Sequence, residues 1–360
     1  MLDVLRAAAR FFRSRIGWHR VGFLLSVAII LVAVAVLAHM LHDLDIGEVI
    51  AALKGMKPHR IAMAGLFVAG GYFTLTFYDW FALRTIEHPE IPYRIAALSG
   101  FTSYAIGHNI GATVFTGGAV RYRIYSGYGL SAVDVAKICF VAGLTFWLGN
   151  AAVLGLSVVL EPHAAAPITQ LPGWINRGIA VAILGILFSY LGWVWSASRE
   201  IGKGEWKVRL PNGPSTLVQI CIGILDLVCC ATAMYMLLPT DPNIGFVTLL
   251  VVFVSATLLG FASHAPGGLG VFDAAMLVAL WQFDKEDLIA GLLIFRLLYY
   301  LVPFVIALCI LGTREVWLNM RRGEHPAKIV SVPVSAPLES EFETEQEAAE
   351  DGDRRRQRKA

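Results

Sequence analysis

Arg121 and Arg123, interleaved with Tyr122 and Tyr125, close a glycine-rich stretch, GHNIGATVFTGGAVRYR from Gly107, and no acid follows them before Asp134. A guanidinium grips phosphate through a planar fork, so the pattern suits an anionic lipid headgroup. For Arg123 the competing reading is a basic anchor beside an aromatic belt at the membrane surface. His108 and Asn109 stand at the break in the apolar run, where they either meet a headgroup, relay a proton or cap the flanking half-helices. Gly107, Gly111, Gly117 and Gly118 permit turns and close approach there. A half-helix starting at such a break offers free N–H groups and a positive dipole end to a phosphate.

A second stretch of the same kind, SHAPGGLGVFD from Ser263, lies in the other half of the chain. Pro266 removes a backbone donor, and Gly267, Gly268 and Gly270 allow the reversal before a helix near Val271. Asp273 falls in that helix's first turn, a capping position. His264 precedes this break as His108 marks the first. Asp79, Asp226 and Arg296 are ionisable residues within apolar runs, hence candidates for substrate contact; the alternative is an internal salt bridge, for example Arg296 with Asp226. The candidate substrate-binding set is therefore Arg121, Arg123, His108, Asn109, Gly117, Gly118, Gly267, Gly268, Asp79, Asp226 and Arg296. No catalytic residue, metal ligand or cofactor is expected. Ser131 to Asp134 reads as a capping box and Asp134 carries no chemistry.

The elements that hold these residues follow from composition. With 57% hydrophobic and 16% charged residues and a mean hydropathy of +0.64, the 360-residue chain is an integral membrane protein rather than a soluble globule. Apolar runs occupy roughly 21-40, 61-83, 95-119, 133-159, 177-196, 215-238, 244-283 and 288-312, and about 20 residues suffice to cross a bilayer core. The first run follows five arginines but is too long for a cleaved signal, so it reads as an uncleaved anchor. Cys139, Cys221, Cys229, Cys230 and Cys309 show no ligand or disulfide spacing.

Basic residues at the N-terminus, in 197-213 and after the last run read as cytoplasmic, whereas 161-174 and 239-243 lack Lys and Arg and read as outside. Parity then requires the segment around 95-119 to enter and return from inside, with its tip near Gly107 to Gly111. The segment around 244-283 enters from outside, with its tip at Pro266 to Gly270. The expected fold is an all-α polytopic membrane protein of about six full spans and two re-entrant broken-helix hairpins arranged as an inverted repeat. Its parts are a basic cytoplasmic N-terminus (1-20), a first half (21-159), a second half (160-315) and a disordered cytoplasmic tail (316-360). Ile46, Val49, Ile50, Leu53 and Met56 recur at helical spacing, which predicts a short amphipathic helix on the outer surface.

TGGAVRYRIYSGYGLS from Thr116 together with SHAPGGLGVFD resembles the transmembrane region of the bacterial lysylphosphatidylglycerol synthase/flippase family, over roughly residues 20 to 315. The resemblance implies a multi-helix domain with re-entrant helices that moves phospholipids or aminoacylated phospholipids between leaflets. It carries Gly117 to Arg121 and Pro266 to Gly270 across as matched elements. The tail leaves no room for the cytosolic synthase domain, so the lysyltransferase activity is not expected here. The reading is thus a lipid translocator of the bacterial inner membrane, not an enzyme, with both termini cytoplasmic and a headgroup passing between the hairpins. No P-loop lysine follows the GGLG run, so no internal ATP drive is expected and movement is passive or ion-coupled. The expected partners are membrane phospholipids; a separate lipid-modifying synthase and a homo-oligomer stay open, and nucleic acid is not expected. The alternatives are a membrane-embedded transferase using His108 or His264 as base, and an accessory subunit for a separate lipid-modifying enzyme.

Overall fold

Long apolar runs without room for polar surface leave the backbone one solution in a bilayer, the helix, because it satisfies its own N–H and C=O groups. The computed structural model describes residues 46–263 and 265–324. The expectations for 1-20, for the 21-40 run, for His264 and for the tail beyond Glu324 lie outside the described residues. Among these, α1 (Ile46–Gly55), α2 (Pro58–Thr85), α3 (Tyr93–Ile110), α4 (Thr113–Tyr125), α5 (Ala132–Leu160), the single turn α6 (Ala166–Thr169) and α7 (Gly173–Ser196) fill the first part. Then come α8 (Gly213–Leu237), α9 (Phe246–Ala262), α10 (Val271–Ala279), α11 (Lys285–Arg296) and α12 (Val302–Glu324). The compact unit ends at Glu315 and a second one begins at Val316. The chain is an all-α polytopic membrane protein: five stretches, Pro58–Thr85, Ala132–Leu160, Gly173–Ser196, Gly213–Leu237 and Lys285–Leu318, are long and apolar enough to cross a membrane. They coincide with the five expected full spans that fall within the described residues. All five cysteines are free thiols.

Local signals explain where these helices begin. Pro58 occupies the first turn of α2, where its missing N–H costs nothing. In α5 the Ser131 hydroxyl accepts from Asp134 N–H at 3.2 Å while the Asp134 carboxylate accepts from Ser131 N–H at 3.0 Å, the reciprocal box expected there. Asn212 caps α8 by accepting from Ser215 N–H at 3.0 Å, and Asp284 caps α11 through Glu286 and Asp287 N–H. Between α7 and α8, the two-residue strands β1 (Glu200–Ile201) and β2 (Val208–Arg209) pair antiparallel across a tight excursion.

Helices in lipid gain nothing from apolar burial against one another and rely on close packing and interhelical hydrogen bonds. The α5–α8 crossing uses both. A Cβ placed on Gly149 would fall 2.6 Å from Gly223 Cα, so the two backbones touch with no side chain between them. Beside that contact, Gln219 Nε2 donates to Thr145 Oγ1 at 2.8 Å. By contrast α7 packs on α5 and α8 along one side only and leaves Ile179, Val181, Ile186 and Phe188 exposed, the apolar outer surface a lipid-facing helix needs.

Replacing Gly223 by leucine should therefore force α5 and α8 apart, at a cost of at least about 1–3 kcal/mol. Gly185→Ala on α7, where nothing approaches within 4 Å, should be neutral or stabilising by about 0.5–1 kcal/mol. Unfolding of the purified protein in detergent micelles measures both; equal effects would contradict the assigned crossing.

Candidate functional site

The first break falls at Gly111–Ala112, between α3 and α4, both in left-handed conformations with φ of 83° and 45°. It lies at the end of the expected Gly107 to Gly111 window: Gly107 and Asn109 are still helical, because the α3 ladder continues through Gly111 N–H to Gly107 O at 3.0 Å. Hydroxyls after the break turn back onto carbonyls at and before it. Thr113 donates to Gly107 O at 3.2 Å and Thr116 to Gly111 O at 2.9 Å. Two glycines let the halves close into a hairpin, since a Cβ on Gly107 would meet Thr113 Cγ2 at 2.9 Å and one on Gly117 would meet Ser103 O at 3.1 Å. Gly117 thus serves the α3–α4 contact, while Gly118 faces Cys139 of α5.

Arg121, on α4, is 3% exposed and Asp79, on α2, is fully buried. The guanidinium engages the carboxylate at two corners, with Nε to Oδ1 at 2.9 Å, Nε to Oδ2 at 3.2 Å and Nη2 to Oδ1 at 2.8 Å. Tyr125 donates its hydroxyl to Asp79 Oδ2 at 2.8 Å, and the Arg121 guanidinium lies 4.8 Å over the Tyr104 ring. The Asp79 carboxylate is therefore met by a guanidinium and a hydroxyl within the protein, as a desolvated charge demands. Arg123 reaches Glu315 on α12, its Nη2 lying 2.7 Å from Oε2. The sequence gives no hint of that acid, which is 192 positions away.

In the second hairpin, α9 and α10 flank a turn at Pro266–Gly268, with Gly267, Gly268 and Gly270 at φ of 59°, 60° and 78°. Gly268 also passes close to the α9 backbone, a Cβ on it falling 3.4 Å from Gly260 Cα. Asp273 accepts from Gly270 N–H at 3.1 Å, the capping role expected of it. It has a second role. Arg296 donates from Nε to Asp273 Oδ1 at 2.9 Å and from Nη2 to Oδ2, and its Nη1 reaches Gly267 O at 3.4 Å. The suggested Arg296–Asp226 bridge is therefore not formed. Arg296 ends α11 beside the first turn of α10, whereas Asp226 on α8 faces α2, where Thr74 Oγ1 and Tyr78 Oη lie 3.3 Å from its carboxylate and Cys230 Sγ at 3.8 Å.

The two hairpins meet. The end of α3 packs against the Pro266–Gly268 turn. The His108 ring sits 5.7 Å from Phe261 of α9, 5.5 Å from Tyr104 and 6.1 Å from Tyr299. Between α11 and α12 the helix widens into a π-turn, Leu297–Leu301. Wide turns loosen the regular ladder, and here two carbonyls accept from other helices: Tyr299 O from the Tyr72 hydroxyl at 3.0 Å and Tyr300 O from Asn109 Nδ2 at 3.1 Å. Asn109 Nδ2 also donates to Ala105 O at 2.7 Å. Both its partners are carbonyls, which fixes the amide orientation and leaves Oδ1 as a buried acceptor without a donor. His108 Nδ1 is likewise buried and unpartnered. Asn109 therefore caps neither half-helix; Ala112 holds the N-cap position of α4.

The structure thus sorts the candidates into three groups. His108, Asn109 and Gly267 converge at the hairpin contact; Arg121 with Asp79, and Arg296 with Asp273, pin α4 and α10 to long helices; Asp226 stands apart between α2 and α8. Glu315, Tyr104, Tyr299 and Tyr300 went unnoticed in the sequence. Only the Tyr299-Tyr300 pair, three and four residues past an arginine inside an apolar run, gave a signal that could have found them. Among the described residues no three His, Cys, Asp or Glu side chains stand together as a metal site.

Because removing one member of a buried pair strands the other charge, Asp79→Asn and Arg121→Gln should each destabilise the protein by about 3–5 kcal/mol, and the double variant by clearly less than the sum. Chemical unfolding in micelles gives the cycle; additive losses would show that the pair is not coupled.

No family model matches the chain. It is similar to an uncharacterized protein of Synechocystis sp., 29% identical over 283 residues that cover 78% of this chain and 87% of that one. Inner membrane protein YbhN of Escherichia coli is 27% identical over 296 residues, 79% of this chain and 88% of its own. Phosphatidylglycerol lysyltransferase of Staphylococcus haemolyticus is 27% identical over 311 residues, 83% of this chain but 34% of that longer protein. The chain spans about a third of the length of that lysyltransferase. These matches and the helical architecture agree with the resemblance of the chain to the membrane region of the bacterial lysylphosphatidylglycerol synthase/flippase family.

Proposed function

We propose that the chain is a lipid translocator of the bacterial inner membrane, in which a phospholipid headgroup passes where the two broken hairpins touch. The observation that carries the reading is a pair of buried polar atoms without partners at that contact, the acceptor Asn109 Oδ1 and the ring nitrogen His108 Nδ1. Leaving such an atom without a partner costs about 1–3 kcal/mol, a cost that a ligand bearing hydrogen-bond donors removes. Glycerol hydroxyls and amino groups are such donors, and both occur on phosphatidylglycerol and its aminoacylated forms. The lysyltransferase relatives bear phosphatidylglycerol in their name, and YbhN is called an inner membrane protein. The lipid class and the membrane are inferred from those likenesses.

Charge supports the same reading. Arg121 is committed to Asp79, so a phosphate reaches it only by displacing that carboxylate. A headgroup carrying both a phosphate and an ammonium replaces both partners at once, phosphate on Arg121 and ammonium on Asp79, without stranding either charge. Arg296 and Asp273 offer the same exchange at the second hairpin with the charges on opposite partners. In this scheme the hairpins enter from opposite faces as an inverted repeat, and the chain acts as a translocator and not as an enzyme.

Purified protein reconstituted in liposomes tests the reading through leaflet exchange of labelled phosphatidylglycerol and labelled zwitterionic lipid. Exchange well above protein-free vesicles is expected, falling about tenfold or more in Asn109→Leu or Arg121→Lys, as loss of a charge-assisted or buried hydrogen bond of ~1.5–3 kcal/mol implies. Exchange no faster than in empty vesicles would remove the function. Exchange unaffected by both substitutions would remove the site.

Topology has its own test. In a chain whose native cysteines are replaced by alanine, Tyr128→Cys after the first hairpin and Trp281→Cys after the second should label from opposite sides of the membrane, both positions being exposed. Labelling from one side would contradict the inverted arrangement.

A further inference from the structure

Asp226 is a carboxyl group, 6% exposed, in the α2–α8 interface, and among the described residues no Lys, Arg or His side chain pairs with it. The other acids inside the helix bundle are different: the buried Asp79 and Glu315 and the partly buried Asp273 each hold an arginine. Its surroundings are hydroxyls and thiols. The titratable groups that face it are Tyr72 and Tyr78 on α2, Tyr104 on α3, Tyr299 on the π-turn, and Cys229 and Cys230 on its own helix. The helices α5, α7, α9 and α11, which also pack on α8, present none to it. Arg121 approaches this cluster only from across the Tyr104 ring.

Hydrogen-bond accounting identifies what completes the group. The Thr74 hydroxyl has one proton and two acceptors in reach, Gly71 O at 2.7 Å and Asp226 Oδ1 at 3.3 Å, so its bond to the carboxyl is shared and long. Tyr78 at 3.3 Å and Cys230 at 3.8 Å are long contacts too, and all three groups are neutral. A carboxylate buried among them would lack a compensating charge, whereas a protonated carboxyl needs none. A metal ion is a poor alternative, since it would need several oxygens around it. Space is short on the α2 side: even a Cβ on Gly71 would fall 3.1 Å from Cys230 Sγ and 3.6 Å from Asp226 Oδ1. The proton is the one cation that this packing accommodates.

We propose that Asp226 is a proton-binding site, occupied when α2 and α8 are packed as seen here and emptied to water when that interface opens. The release is a simple dissociation, the carboxyl O–H bond breaking and bulk water taking the proton. Loss of the proton in the closed interface would leave a carboxylate with no cation, so proton occupancy and helix packing are linked. Tyr104 and Tyr299, which face Asp226, also flank His108 at the hairpin contact, so a change at this carboxyl is one aromatic layer from the place where the hairpins meet.

Infrared spectroscopy of the purified full chain in lipid nanodiscs reads the proton directly and does not depend on lipid transport. The expected result is a protonated-carboxyl stretching band at neutral pH that shifts in heavy water, fades as the pH is raised into the alkaline range and is missing in Asp226→Asn. A wild-type spectrum without such a band, or a band that survives Asp226→Asn, would overturn the proposal, as would a band indifferent to alkaline pH. Should Asp226→Asn not fold, Asp226→Glu retains the acid and should displace the band; an undisplaced band would be equally fatal. In liposomes that show leaflet exchange, a pH gradient should change the wild-type rate severalfold and leave Asp226→Asn unaffected. Absence of any exchange would sink the translocator reading while the infrared result decides the proton site separately.

Discussion

A peptide group set free inside an apolar layer needs a partner, and both breaks in this chain are organised by that need. In the first, Thr116 turns its hydroxyl back onto Gly111 O at the turn, and Thr113 adds a second donor to Gly107 O, which also holds Gly111 N–H. In the second, the guanidinium of Arg296 reaches Gly267 O and the carboxylate of Asp273 takes the Gly270 N–H. The breaks are therefore as well satisfied as a regular helix nearly everywhere. Among the described residues, the side-chain atoms on α3 without a partner are Ser99 Oγ, Ser103 Oγ, His108 Nδ1 and Asn109 Oδ1, and the last two fall where the two hairpins touch.

Each hairpin is also tied to a long helix by one arginine–aspartate pair, fully buried in the first and partly exposed in the second, and the pairs have opposite polarity. In the first, the arginine rides on the second half-helix and the aspartate on α2; in the second, the aspartate rides on α10 and the arginine on α11. A buried pair adds little net stability over apolar packing but is costly to break singly. Such a contact fixes register more than it adds strength, which suits elements whose relative positions matter to what passes between them. Pairing keeps each site neutral, so neither arginine–aspartate site brings a net charge into the apolar layer.

Much of this was legible in residue order. The five described spans, the Ser131–Asp134 box and the second break at Pro266–Gly270 depend on hydropathy, capping and glycine, all local properties. Partner choice was not legible. Arg296 could be matched with Asp226 on paper because both lie in apolar runs, yet which faces meet depends on how α8, α10 and α11 pack, and no local pattern encodes that. Glu315 escaped for the same reason, as it approaches Arg123 from the far end of the chain. Asn109 looked like a cap because it is polar and near glycines; the helix continues past it, since Gly111, not Gly107, is the first residue to adopt a left-handed conformation.

The π-turn at Leu297–Leu301 has one further consequence. A wide turn holds more chain per revolution than an α-turn, and each added residue rotates everything beyond it by about 100° relative to an uninterrupted helix. The last apolar stretch is therefore two faces joined by an offset. Arg296, just before the offset, addresses the second hairpin; Tyr300 O, within it, receives Asn109 of the first; Glu315, beyond it, holds Arg123. A straight helix would aim Arg296 and Glu315 along directions fixed by its regular pitch, whereas this one behaves as a crank whose two arms hold different hairpins, so any change in its winding moves both at once.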